Sequence, residues 1–150
     1  MQTVDMAALI HQVAGAIGYQ IQEAGAAIEI GDLPSCRCDA SQMGQVFSNL
    51  IDNALKYRSS ERALRVRIEG KAKDGQCIFT VEDNGIGIPP EHREKIWELF
   101  HRLDPGGVVT GEGLGLTVVR RIIDRHGGRI WVEDAPESGS RFCFMIKQEG

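Results

Sequence analysis

The hydrophobic pattern changes period several times along the chain, and each change predicts an element. Met6, Leu9, Ile10, Val13, Ile17, Ile21 and Ala24 recur at steps of three and four, which predicts one amphipathic helix over 6–24. Asp5 suits its N-cap and Gly25 its stop. A short strand is expected over 26–30, and Gly31, Asp32 and Pro34 mark a turn. Asp39 with Gln42 resembles a capping box that opens a helix reaching about Tyr57. Leu64, Val66 and Ile68 share one face of an alternating strand over 63–70, and Asp74-Gly75 reads as a hairpin turn into a strand over 76–83. Residues 84–113 have no period and are rich in Gly and Pro. A last helix is expected over 114–126, stopped by Gly127-Gly128, and strands at 129–133 and 141–146 form a closing hairpin. No repeat or linker divides the chain. This order predicts one α+β domain, a two-layer sandwich of a mixed sheet with helices on one face.

Composition narrows the function classes. A chain of 150 residues can bury a core without a disulfide or a structural metal. Its net charge is −4 and it has no long basic run, which argues against nucleic acid or an anionic membrane surface as the main partner. No apolar run approaches the ~18 residues that span a bilayer, and the N-terminus lacks a signal-peptide pattern. The domain is therefore expected to be cytoplasmic, without direct membrane insertion. Cys36, Cys38, Cys77 and Cys143 lack the second ligand pair of a zinc site and are expected to be small buried hydrophobes. Glycine is the anomaly: 18 in 150 residues, against about 7% in ordinary chains. Nine of the 18 lie between Gly85 and Gly128, so the demand is local.

Three segments carry candidate chemistry. In the helix after Asp39, Met43, Val46, Phe47, Leu50, Ile51 and Ala54 form a wide apolar stripe. Asn49, Asn53, Lys56 and Tyr57 form a second stripe about 120° away. Asparagine is a poor interior helix residue. This stripe is either a solvated face or a row of ligands for hydrated Mg²⁺ and phosphates, to which amide oxygens and a lysine are suited. Asp83-Asn84-Gly85-Ile86-Gly87-Ile88-Pro89 follows a strand directly. It is either a simple Asx-turn or a pocket in which Asp83 accepts a hydrogen bond from an exocyclic amine. Gly111-Glu112-Gly113-Leu114-Gly115-Leu116 opens the last helix, where free N–H groups suit phosphate; the alternative is a flexible loop. Other phosphate motifs fail. Leu116 stands where a dinucleotide fingerprint needs Gly, and Glu112 stands where a P-loop needs Lys.

Together these boxes resemble the catalytic ATP-binding domain of sensor histidine kinases. The resemblance runs from about Val4 to Ile146 and includes a phenylalanine box, Ile96-Trp97-Glu98-Leu99-Phe100-His101-Arg102, and a closing Gly139-Ser140-Arg141-Phe142. It implies the Bergerat α/β sandwich, shared with type II topoisomerases, mismatch-repair ATPases and a heat-shock chaperone, and it implies ATP and Mg²⁺ as cofactors. Asn53 would bind Mg²⁺ with Asn49 beside it. Lys56 and Arg102 would contact phosphates, and Tyr57 would flank the nucleotide. Asp83 would bond the adenine amine, with Gly85, Gly87 and Ile88 shaping the base pocket. Gly111, Gly113, Leu114, Gly115 and Leu116 would wrap the phosphates, residues 102–110 would form a short lid, and Ser140 would complete the pocket.

The resemblance also sorts the superfamily's branches. Hydrolysing members carry Glu one turn before the magnesium asparagine, where this chain has Asn49. An amide cannot accept a proton, so water activation should be poor and transfer to a protein acceptor favoured. None of His11, His92, His101 and His126 fits the phosphoacceptor; His126 closes the last helix, where a cation would suit the dipole. The implied partners are a histidine-bearing dimerisation hairpin on a separate domain and a response-regulator receiver domain. The isolated domain should be monomeric, bind ATP and not autophosphorylate alone. The rival readings are a self-sufficient ATPase of the superfamily, a non-catalytic nucleotide-sensing module, and an anti-sigma-factor serine kinase, which Lys56-Tyr57 and the phenylalanine box fit less well.

Overall fold

The computed structural model describes residues 1–98 and 115–148. In chain order the elements are β1 (Gln2–Asp5), α1 (Met6–Ala16), α2 (Gly18–Glu23), β2 (Ala27–Ile30), β3 (Ser35–Cys38), α3 (Ala40–Lys56), β4 (Arg65–Lys73), β5 (Gln76–Asp83), α4 (Gly115–Arg125), β6 (Arg129–Asp134) and β7 (Ser140–Lys147). Two 3₁₀ turns, Pro90–His92 and Lys95–Trp97, lie between β5 and α4. The expectations for Arg102, Gly111, Gly113 and Leu114, and for a lid over 102–110, lie outside the described residues.

Alternation builds the main sheet. Along β5 the buried positions are Cys77, Phe79, Val81 and Asp83, so an acid occupies the last place in an inward row. The sheet has five strands in the order β2-β4-β5-β7-β6. β2 and β4 are parallel and the other pairs antiparallel. A parallel pair needs a crossover, and α3 lies in the connection between β2 and β4. The apolar stripe of α3 is buried in full, from Met43 to Ala54. It meets the sheet at Phe47, whose ring centroid is 5.7 Å from that of Phe79 and 5.5 Å from that of Phe144. The result is the expected α+β sandwich with a mixed sheet.

Several boundaries match their local chemistry. Asp5 caps α1 by accepting from the Ala8 N–H, and Asp39 caps α3 by accepting from the Gln42 N–H at 3.0 Å. Asp74 and Gly75 both have positive φ, the geometry of a tight hairpin turn. α4 ends with Gly128 N–H donating to the Ile123 carbonyl and Gly127 N–H to that of Asp124, a Schellman stop.

Three expectations need correction. The helix over 6–24 is two helices, broken at Ile17 (φ −109°, ψ 21°); Gly15 and Gly18 flank the break, and each costs a helix about 1 kcal/mol against alanine. The strands β1 and β3, which pair antiparallel, were not anticipated, because four residues with one or two inward positions carry too little periodicity. Cys36 and Cys77 are not independent hydrophobes. Their facing inward positions on β3 and β5 join them in a disulfide, with Cα atoms 6.7 Å apart. Both are buried, which shields the bond from thiol exchange. Cys38 and Cys143 are free and buried, and burial pushes both thiols up to about 11. Finally, His126 does more than close the last helix. It is buried, its Nε2 accepts from the Asp39 N–H at 3.2 Å and its Nδ1 lies 2.8 Å from the Ile122 carbonyl oxygen.

Candidate functional site

The site forms where the C-terminal half of α3 meets the end of β5 and the start of α4. Packing of the apolar stripe turns the second stripe away from the core. Asn49, Asn53 and Tyr57 are half-buried and Lys56 is exposed. The Asn49 amide Nδ2 donates to the Gly115 carbonyl at 3.2 Å. The asparagine helix and the described end of the second glycine box are thus brought together. Leu116 packs on the core beside them. Thr117 Oγ1 donates to the Trp97 carbonyl at 3.1 Å, and Trp97 packs edge-on to Phe142 with ring centroids 6.0 Å apart. The described part of the phenylalanine box is therefore docked on both α4 and the sheet. The Asn53 side chain has no hydrogen bond among the described residues. Lys56 Nζ lies 3.1 Å from Asp52, one turn earlier on α3.

Asp83 is 8% exposed. Its Oδ1 accepts from the Gly85 N–H at 2.9 Å and the Ser140 N–H at 3.3 Å. Burial pushes the carboxyl above the usual aspartate range, and these two N–H groups oppose that rise. Both bonds fall on Oδ1, which leaves Oδ2 to accept from a ligand. The Asx-turn and the amine-binding reading are therefore compatible: one oxygen makes the turn. Ser140 serves Asp83 through its backbone N–H.

Glycine is required here by close approach. A Cβ on Gly85 would lie 2.5 Å from the Tyr57 carbonyl oxygen. At Gly139 (φ +94°) it would lie 2.1 Å from the Asp83 carbonyl oxygen. The end of α3, the end of β5 and the turn before β7 are thus in backbone contact. Gly87 adopts φ +81° beside Gly139, and Ile88 is buried next to them.

Two residues escaped the sequence reading. Asn84 accepts from the Arg65 N–H at 2.8 Å and donates to the Ala63 carbonyl at 3.0 Å, which ties β5 to the start of β4. Its place in the box marked it without assigning it a task. Arg62 donates to the carbonyls of Asn84 and Gly85, and nothing in its polar loop distinguished it. A cleft of about 280 Å³ is lined by Glu29, Arg65, Arg67, Glu82, Asp83 and Asn84, among others, and so borders the first glycine box. Arg65 pairs there with Glu29, and Glu82 pairs with Arg141.

The donor set limits what metal could bind. No group of three His, Cys, Asp or Glu side chains among the described residues could hold an ion. Asn49 and Asn53 offer neutral amide oxygens only. This fits Mg²⁺, which keeps waters and takes most other ligands from substrate phosphates.

The family model for the histidine kinase-, DNA gyrase B-, and HSP90-like ATPases matches residues 38–150. The chain belongs to this family. It is 37% identical over 142 residues to the phytochrome-like protein Cph1 of Synechocystis sp., covering 95% of this chain and 19% of that protein. The chain thus spans about a fifth of the curated relatives it matches first. Among solved structures it is similar to full-length ShkA in complex with AMPPNP (TM-score 0.82, 29% identity, 99% of this chain and 31% of that one). It is also similar to the histidine kinase ThkA in complex with the response regulator TrrA (TM-score 0.80, 26% identity, 99% and 42%). The sandwich described above is the fold of these kinases' ATP-binding domains.

Proposed function

We propose that this domain binds Mg-ATP and donates the γ-phosphoryl group to a histidine on a separate helical-hairpin domain of a two-component sensor kinase, which then serves a response regulator. The observation that carries the reading is Asp83. A carboxylate is placed in a buried row of the sheet, oriented through one oxygen by two backbone N–H groups and left with the other oxygen for a base. Such a burial costs stability, and a ligand amine supplies a reason for it. The ATP analogue on ShkA and the regulator on ThkA support the cofactor and the partner.

In the transfer, the bond between the γ-phosphorus and its bridging oxygen breaks. A bond to the unprotonated imidazole nitrogen of the acceptor forms, ADP leaves, and the other ring nitrogen gives up its proton to solvent or to a base on the hairpin domain. Mg²⁺ would supply charge neutralisation and orientation of the phosphate oxygens. Asn49 and Asn53 would hold it, Lys56 and Arg102 would bind phosphate, and Asp83 would bind the base. None of these needs to act as a base, since phosphoryl transfer relies on positioning and electrostatics. The self-sufficient ATPase is disfavoured because Asn49 cannot accept a proton from water and its amide is engaged with Gly115.

Calorimetric titration with ADP or an ATP analogue in Mg²⁺ should give saturable binding, and none at millimolar ligand would overturn the reading. With binding shown, radiolabelled ATP and the histidine-bearing hairpin should label the hairpin. Steady phosphate release without labelling would favour the ATPase.

A further inference from the structure

The loop between α3 and β4 carries Arg62 across the outside of the first glycine box. Its guanidinium takes two successive carbonyls, with Nε 2.6 Å from the Asn84 oxygen and Nη2 2.7 Å from the Gly85 oxygen. Each carbonyl belongs to a peptide unit whose N–H is also engaged. In the unit joining Asn84 to Gly85, the N–H donates to Asp83 Oδ1 at 2.9 Å. In the unit joining Gly85 to Ile86, the N–H donates to the Tyr57 carbonyl at 3.0 Å. A trans peptide is planar, with O and H on opposite sides, so each unit is pinned from both edges. One edge of both units belongs to Arg62. The opposite edge belongs in one case to Asp83 and in the other to the end of the asparagine helix.

The pinning has electrostatic as well as geometric content. A guanidinium bonded to a peptide oxygen polarises that unit and strengthens the bond its N–H donates. Here the strengthened bond is the one that orients Asp83. The fork of an arginine matches two adjacent acceptors, which the point charge of a lysine does not. No carboxylate among the described residues forms an ion pair with Arg62, so its charge is directed at this backbone.

We propose that Arg62 is a positioning residue of the adenine pocket. By pinning the two peptide units after Asp83, it sets the carboxylate for the exocyclic amine and fixes the base end against the phosphate end of α3. This rests on the reading that the site takes ATP.

The test compares Mg-ATP with Mg-inosine triphosphate, which has a carbonyl in place of the amine, in calorimetric titrations of wild type, Arg62→Ala and Arg62→Lys. Wild type should prefer ATP. In Arg62→Ala the Kd for ATP should rise about tenfold, the size expected for charged hydrogen bonds, while that for inosine triphosphate rises less than about twofold. The preference should then collapse. Arg62→Lys should keep the fold and recover only part of the preference; should Arg62→Ala fail to fold, this variant carries the test. Parallel weakening of both nucleotides, or an unchanged ratio in either folded variant, would overturn the proposal. Failure of wild type to bind ATP at all would instead overturn the ATP reading.

Discussion

The two ends of the site are built on different principles. At the end proposed to take the base the parts are backbone. Asp83 is oriented by peptide N–H groups, Gly85 backs onto the Tyr57 carbonyl, and Gly139 sits against the Asp83 carbonyl, with no room for one more carbon at either glycine. At the end proposed to take the phosphates the parts are side chains on the outer stripe of α3. Among the described residues Lys56 is held only by a partly exposed pair with Asp52, and Asn53 makes no side-chain bond. The base end is therefore organised before any ligand arrives, at a cost in burial. The phosphate end has its charges and amides in place, and a metal-bound polyphosphate would have to order them. Mutations should differ accordingly: selective for the base and insensitive to salt at one end, metal- and salt-dependent at the other.

The largest effect should come from Asp83→Asn. An amide at 83 can still accept from the Gly85 N–H, but it also presents an NH₂ group where the adenine amine needs an acceptor. Sites built around one buried hydrogen bond reject ligands that leave it unmade, and ATP affinity should fall about 100-fold. The acid response checks the same residue. Burial raises the Asp83 pKa, so on acidification the carboxylate is lost above the ordinary aspartate range. ATP binding should weaken there in wild type, and this acid limb should vanish in Asp83→Asn. Stability runs the other way. With the folded pKa above the unfolded one, the folded state binds the proton more readily, and the ionised carboxylate is a liability that shrinks as pH falls through the folded pKa. At neutral pH the asparagine variant should melt no lower than wild type. A variant that binds ATP normally, or binds poorly only because it unfolds, would break the contrast between the two ends.

Asn53→Ala tests the phosphate end. ATP affinity should fall about tenfold with Mg²⁺ present, in line with the loss of one metal ligand, and hardly at all with the metal chelated. Alanine is the better helix former by up to about 0.7 kcal/mol, and no side-chain bond among the described residues is lost, so the melting temperature should hold or rise. Equal losses with and without metal would show that Asn53 serves packing and not the ion.

How much of this was legible in the sequence follows from the same division. The side-chain end was visible, because a polar stripe opposed to an apolar one is a periodic signal, and Asn49 to Tyr57 show it over about two turns. Asp83 was visible as well, as the head of the Asp83-Asn84-Gly85-Ile86-Gly87 box at a strand end; its place as the fourth inward position after Cys77, Phe79 and Val81 is what the structure adds. At the backbone end Gly85, Gly87 and Ser140 were named from their boxes, but the peptide contacts that join them were not visible. Arg62 acts through carbonyls far along the chain, which no local pattern encodes. Ser140 contributes a peptide N–H to Asp83, and any residue except proline could supply one. The Cys36–Cys77 bond was missed for a related reason: connectivity depends on which strands face each other, and β3 was too short to be seen. The role of His126 in joining α4 to the start of α3 was missed for the same reason, since the Asp39 N–H on its ring lies far along the chain.

The smallest effect should also be the most diagnostic of mechanism. Asp52 and Lys56 are one turn apart on α3 and both partly exposed. Such a pair contributes about 0.5 kcal/mol or less to the fold, so Asp52→Asn should leave the melting temperature nearly unchanged. It removes a negative charge beside the expected phosphates and releases Lys56 to them. A unit charge a few ångströms away is worth about 1 kcal/mol in water, and ATP should bind roughly two- to threefold more tightly at low ionic strength. The gain should fade at about 1 M salt, where the screening length drops to ~3 Å. Titrating Asp52→Asn and Asp83→Asn at both ionic strengths puts the two ends on one scale. The loss in Asp83→Asn should persist in salt, because a missing acceptor in a buried pocket is not screened. An Asp52→Asn gain that survives high salt would mean that the α3 stripe acts through geometry, and the two ends would then share one principle.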